Sequence, residues 1–256
     1  MVGATVAEPV PGEGRVLPAF AFIGWRWISR NPASAIAPIM VPFIFLYFLA
    51  LISPKSLFPL EVLGAMLFTT QNIGSWVLGD SATWRIEFAL QDMFVASPMG
   101  KVRYLIGVAF SNLIAAAPAL VVLTVVLAVA IGHPVPWSAW VVLIGCLVVV
   151  WILFSAIGVA ISSRLTSQRE IWPVGSLTFT ILGMLSPLYY PLSYLPPLWQ
   201  DVARFLPTTY AALLVQGAFG LVPASPEAML ADAVLLLVLA VVGTLIALPL
   251  YRWRVR

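Results

Sequence analysis

The run YLIGVAFSNLIAAAPALVVLTVVLAVAI, residues 104–131, contains no charged residue and no histidine. At about 1.5 Å per helical residue it reaches about 42 Å, beyond the hydrocarbon thickness of about 30 Å that a bilayer presents. Lipid offers a backbone no outside hydrogen-bond partner, so a segment of this kind crosses as a helix. Its surplus length predicts a tilt or a bend, and Pro118 is the place for one.

Five more apolar runs flank it: Ala35–Ile52, Val62–Leu78, Trp137–Ile161, Ile171–Leu188 and Ala233–Tyr251. The chain is 62% hydrophobic and 9% charged, whereas a soluble domain averages roughly 25% charged. These features predict an all-α integral membrane protein of six transmembrane helices. Threading the runs in order puts eleven of the thirteen Lys and Arg residues on one side, with only Lys55 and Arg204 in the alternate loops. Cationic loops stay inside. The threading therefore predicts a multi-pass protein of the plasma (cytoplasmic) membrane with both termini cytoplasmic. Beside anionic headgroups, the net charge of +3 reads as a topology signal and not as a nucleic-acid footprint.

Within that frame the remaining segments have distinct characters. Met1–Gly14, rich in Gly and Pro, reads as a disordered lead to a single transmembrane domain over 15–256, and not as a secretory signal. Residues 15–31 place Leu17, Phe20, Ile23, Gly24, Trp27 and Ile28 on one helical stripe. With Trp25, Arg26, Trp27 and Arg30 suited to the headgroup region, they predict an amphipathic helix lying on the cytoplasmic surface and ended by Asn31-Pro32. The loop Asp80–Arg103 carries six charges, and Ile86, Leu90, Met93 and Phe94 recur in it at helical spacing. A short cytoplasmic helix within 83–100, stopped by Ser97-Pro98, follows from that pattern. Residues 187–222 crowd Pro187, Pro191, Pro196, Pro197 and Pro207 around Tyr189, Tyr190, Tyr194 and Trp199. Their second apolar stretch, Tyr210–Val222, is too short to cross. A full crossing there would also strand Arg252, Arg254 and Arg256 outside. An external re-entrant helix pair is expected.

Polar groups inside the spans are the candidates for a transport path. An unpaired amide in lipid costs several kcal/mol, so Gln71 and Asn72 either bond neighbouring helices together or line a path. Ser111 and Asn112 read the same way. Tyr189, Tyr190 and Tyr194 fit either an aromatic belt or a gate lined by rings. Asp201 and Arg204, three apart, are spaced to pair on a helix surface. Cys146 is the only cysteine and lies mid-span, and His133 is the only histidine, in the turn Gly132-His133-Pro134; no metal site is expected. A phosphate-cradling G-x-x-x-x-G-K-[ST] loop is absent, for Gly100-Lys101 is followed by Val102. No Asp, Glu, Lys or Arg falls at mid-depth in the six runs, which argues against a proton-coupled carrier. A membrane-embedded transferase acting on a lipid is the alternative, but His133, Glu61, Asp201, Glu227 and Asp232 are too scattered to form its site.

Two segments together resemble the permease subunits of type-2 ATP-binding-cassette exporters. The first is Arg85-Ile86-Glu87-Phe88-Ala89-Leu90-Gln91-Asp92-Met93-Phe94-Val95-Ala96-Ser97-Pro98, followed by Lys101 and Tyr104-Leu105-Ile106-Gly107. Where that family often has Gly-Thr, this chain has Ala89-Leu90 with the charge pattern unchanged. The second runs from Ser186-Pro187-Leu188-Tyr189-Tyr190-Pro191 through Tyr194-Leu195-Pro196-Pro197 to Phe205-Leu206-Pro207-Thr208-Thr209-Tyr210. The resemblance implies a dimer, with a second copy or a paralogous permease, and two separate nucleotide-binding ATPase subunits. ATP and Mg would reside on those partners, with no cofactor on this chain. It also implies that Arg85, Glu87, Asp92, Ser97 and Pro98 couple ATP hydrolysis to outward movement of a drug-like compound, lipid or glycan.

Overall fold

The computed structural model describes residues 16–88, 90–96 and 100–252. Met1–Gly14, Ser97 and Pro98 lie outside the described residues, so the expectations placed on them stay where the sequence left them. Among the described residues all regular structure is helical.

Each apolar run folds as a helix, with bounds that differ from the hydropathy reading in informative ways. Helix α1 (Val16–Arg30) precedes α2 (Pro32–Ile52), which starts with proline at its first position, where the missing N–H costs nothing. Helix α3 (Phe58–Ile86) does not stop at Leu78. It carries Asp80 and Arg85 within one continuous helix, so the charged loop is shorter than the sequence implied, and the short helix α4 (Leu90–Ala96) follows at once. Helix α5 (Lys101–Ile131) runs unbroken through Pro118 and ends at Gly132, whose φ of 70° is the left-handed cap that glycine adopts without strain. Helix α6 spans Trp137–Ser162 and α7 spans Gln168–Leu185. The hydroxyl of Ser167 accepts from the Arg169 backbone N–H at 3.3 Å to cap α7, with Glu170 in the first turn.

The proline-rich segment folds as two short helices, α8 (Pro197–Ala203) and α9 (Pro207–Ala218), before α10 (Pro226–Leu250). Ser225 caps α10 by accepting from Ala228 N–H at 3.2 Å. Among the described residues α5, α6 and α10 are long and apolar enough by length and composition to cross a membrane. Apolar side chains also cover their outward faces: Val234, Leu237, Val241 and Leu245 of α10 are all exposed. A helix apolar on both its packed and its outer face is the signature of a lipid environment.

Helix α3 is the hub, packed against α5, α6 and α7, while α9 lies on α10 and α6, and α1 on α5. Small residues set the closest approach. A side chain at Gly158 would meet the Gly74 carbonyl, and one at Gly74 would meet the Phe154 carbonyl, so α3 and α6 cross backbone to backbone. Phe20 fixes α1 by laying its ring on Gly107 of α5, with Trp84, Phe94 and Tyr104 around it at centroid distances of 6.5, 6.1 and 6.4 Å.

Candidate functional site

Four loops or termini meet at one end of the bundle, joined by long side chains reaching backbone carbonyls. One Nη of Arg85 donates to the carbonyls of Ser162 (2.6 Å) and Leu165 (2.8 Å), at the C-terminus of α6. Lys101 Nζ does the same for α10, donating to Leu248 (2.7 Å) and Tyr251 (3.0 Å). A cation on the last carbonyls of a helix satisfies orphan acceptors and opposes the macrodipole's negative end. Gln91 of α4 is 1% exposed; its amide donates to the Arg252 carbonyl at 3.2 Å, and its Oε1 accepts from the Tyr251 hydroxyl at 3.0 Å. Gln168 donates to the Glu87 carboxylate, tying the start of α7 to the residue that closes α3. Helix α4 is therefore fastened to α3 and to the end of α10, and α3 to the ends of α6 and α7.

The expected coupling residues divide accordingly. Arg85 turns inward as a helix clamp, Glu87 is exposed with Gln168 as its partner, and Asp92 lies within α4. On α1, Phe20 and Gly24 are buried, whereas Trp25 is 62% exposed and Arg26 lies over the Phe22 ring at 5.6 Å; Arg30 is exposed. Trp25, Arg26 and Arg30 thus lie on the outward side of α1, where Leu17, Ile23 and Trp27 of the apolar stripe are also exposed, so Phe20 and Gly24 make the close contact.

Beside α1 lies a cavity of about 540 Å³. One wall is a single ridge of α3: Phe68, Asn72, Trp76, Asp80 and Trp84, each four residues after the last. Such a ridge winds slowly around its helix, so over sixteen residues it extends about 24 Å along the axis. Thr69 of α3, Ser111, Asn112 and Ala115 of α5, Ile23, Gly24 and Trp27 of α1, Val41 and Pro42 of α2, and Trp172 of α7 complete the lining. Trp27 and Trp172 keep 49% and 60% of their surface exposed, leaving the cavity open on their side. The Asn112 amide donates to Asp80 Oδ2 at 2.9 Å and to the Val108 carbonyl at 3.1 Å.

Neighbours Gln71 and Asn72 have different surroundings. Gln71 is fully buried and donates to the Phe179 carbonyl of α7 at 2.8 Å, which bonds helix to helix; Asn72 lines the cavity. The three tyrosines are likewise separated in kind. Tyr189 packs between Phe45 (4.8 Å) and Phe68 (6.2 Å), Tyr190 is half-buried with its phenol pushed above the usual range by burial, and Tyr194 is 66% exposed. Asp201 and Arg204 do pair, at 3.4 Å on the surface of α8.

The sequence reading missed Trp76, Asp80, Trp84 and Trp172 as a group. A signal was present: the repeat Phe68-x₃-Asn72-x₃-Trp76-x₃-Asp80-x₃-Trp84 is visible in the bare sequence. The fall in hydropathy at Asp80 masks it, because a charge after an apolar run reads locally as the start of a loop.

Comparison with known families matches residues 18–219 to the ABC-2 type transporters. That span covers most of the chain, and the protein belongs to this family: it is a multi-pass membrane protein, the transmembrane subunit of an ATP-binding-cassette transporter. No curated protein matches it.

Proposed function

We propose that this chain is the membrane half of an ATP-driven exporter that moves an amphipathic or lipid-linked substrate outward across the plasma membrane. Six helices, α2, α3, α5, α6, α7 and α10, cross the bilayer, with α8 and α9 re-entering from outside and both termini in the cytoplasm. A second copy completes the pathway, and two separate nucleotide-binding subunits dock on α1 and on α4 with its flanking residues Arg85, Glu87, Asp92, Ser97 and Pro98. One observation carries the reading beyond family membership: the way α4 is held. A push on this seven-residue helix travels through Gln91 to the end of α10, and through the α3 terminus to the ends of α6 and α7. Such charge-assisted bonds and a buried amide transmit displacement because breaking them leaves orphan carbonyls. The lining of the neighbouring cavity supports an amphipathic substrate.

The test is co-purification followed by reconstitution. The chain is expected to bring down an ATPase whose turnover drives transport, and Glu87→Lys is expected to insert normally yet hydrolyse ATP without transport. Normal transport by that variant, or a purified chain with no nucleotide-binding partner, would refute the proposal.

A further inference from the structure

We infer that the cavity between α1, α3 and α5 binds a lipophilic monovalent cation: a flat or bulky apolar body carrying one delocalised or alkylated positive charge. The inference rests on the exporter reading only for what becomes of the bound molecule; binding itself requires neither ATP nor a partner.

Size comes first. A cavity of about 540 Å³ lies inside the range of about 300–1,000 Å³ typical of drug-sized ligands. The character of the walls comes next. Four indoles, those of Trp27, Trp76, Trp84 and Trp172, contribute to one lining, and indole faces attract cations more strongly than any other side-chain ring. The single ionisable group in the lining is Asp80, with no Lys or Arg among the lining residues. Asn112 occupies only Oδ2 of that carboxylate, and among the described residues no donor reaches Oδ1. The nearest arginine along α3, Arg85, gives one Nη to the carbonyls of Ser162 and Leu165 and is not among the lining residues.

A carboxylate left in an apolar, aromatic site is costly unless something positive joins it. A hydrated inorganic ion is a poor match: one carboxylate and two side-chain amides cannot replace its shell of six or more oxygens. An anionic headgroup would face Asp80 directly. A hydrophilic ammonium would lose its water to indole walls. A cation whose charge is spread over an apolar body gains from both features at once: contact with the rings, and attraction to Asp80 in a site poor in water. Asn72 and Ser111 add neutral polar atoms elsewhere in the same lining.

Tetraphenylphosphonium and tetraphenylborate have nearly the same size and shape and opposite charge, so they separate a charge-selective site from a greasy crevice. Equilibrium binding of each, radiolabelled, to the full chain purified in neutral detergent gives the first result. Saturable binding is expected for tetraphenylphosphonium, with at least tenfold weaker binding of tetraphenylborate. Equal binding of the two would overturn the inference without recourse to any variant. Asp80→Asn keeps the side-chain shape and is expected to weaken tetraphenylphosphonium binding at least tenfold while leaving tetraphenylborate unchanged or improved. Trp76→Leu is expected to weaken the cation by several-fold. Unchanged cation affinity in a folded Asp80→Asn protein would likewise overturn it. ATP-driven efflux, measured separately with the ATPase partner present, tells the two readings apart. Binding without efflux would sink the export assignment and leave the cation site standing; efflux of some other compound with no cation binding would do the reverse.

Discussion

The two ends of this bundle are closed by opposite means. At the charged end, helix termini are joined by long flexible side chains, Arg85, Lys101 and Gln91, that reach across to carbonyls of other helices. At the proline-rich end, close backbone contact and short hydroxyl side chains carry much of the closure, alongside one long arm from Gln216. The Leu188 carbonyl lies against Gly64 of α3, and Ser186 and Thr208 share a hydrogen bond. Thr209 donates to the Ala203 carbonyl at 2.6 Å, and Gln216 of α9 donates to the Pro187 carbonyl at 3.3 Å. Long arms can pivot about their rotatable bonds without letting go of their carbonyls, so helix ends joined by them can swing together. Backbone packed on glycine cannot, because any approach is a steric clash. The difference makes the charged end the more easily displaced of the two, and it is the end at which the motor is proposed to dock. The open cavity, with Trp27 and Trp172 half-exposed on its walls, includes residues of α1, the helix proposed to receive the motor.

The sharpest way to break this contrast is at the rigid end. Gly64→Val forces a branched side chain into the Leu188 carbonyl, and a loss of about 3 kcal/mol is expected for overpacking without room to relax. A sharp fall in the thermal midpoint in detergent would show it; a native midpoint would mean that this end is as compliant as the other. Arg85→Ala is next. It uncaps α6 and leaves two carbonyls unsatisfied, a loss of about 2 kcal/mol. Arg85→Lys is expected to recover part of that, since one ammonium reaches fewer acceptors in fixed geometry.

Gln91→Ala should cost about 1 kcal/mol of stability but separate ATP hydrolysis from transport, because the tie from α4 to the end of α10 is gone. Coupled transport in that variant would show that the force takes another route. The smallest effect is expected at the exposed Asp201–Arg204 pair, where Asp201→Asn should change stability by under about 0.5 kcal/mol. A larger loss there would give α8 an importance that its solvent-facing pair does not suggest.

Much of this was legible in the residues. The run from Tyr104 to Ile131 announces a helix in lipid, and Trp25, Arg26, Trp27 and Arg30 announce an amphipathic one beside it. The sequence leads one to expect a short helix within 83–100 and a helix pair within 187–222, and α4, α8 and α9 fall inside those bounds, where proline and glycine punctuate the chain. The end of α3 was not legible. Hydropathy falls at Asp80, yet the helix continues, since Asp80 finds Asn112 and Arg85 finds the end of α6, and a paired charge no longer favours a loop. The same blindness hid the cavity. Its α3 ridge reads as a period of four, but nothing local says which side of α3 is left unfilled.

The residues alone settle that the chain is helical and apolar, because both follow from backbone solvation and local periodicity. Tertiary structure alone decided that Gln71 bonds a neighbouring helix while Asn72 faces open space, and that Arg85 clamps a carbonyl pair instead of facing solvent. Adjacent residues on a helix point about 100° apart. Which direction meets protein and which meets a void depends on helices distant in sequence, and no local pattern records where those will lie.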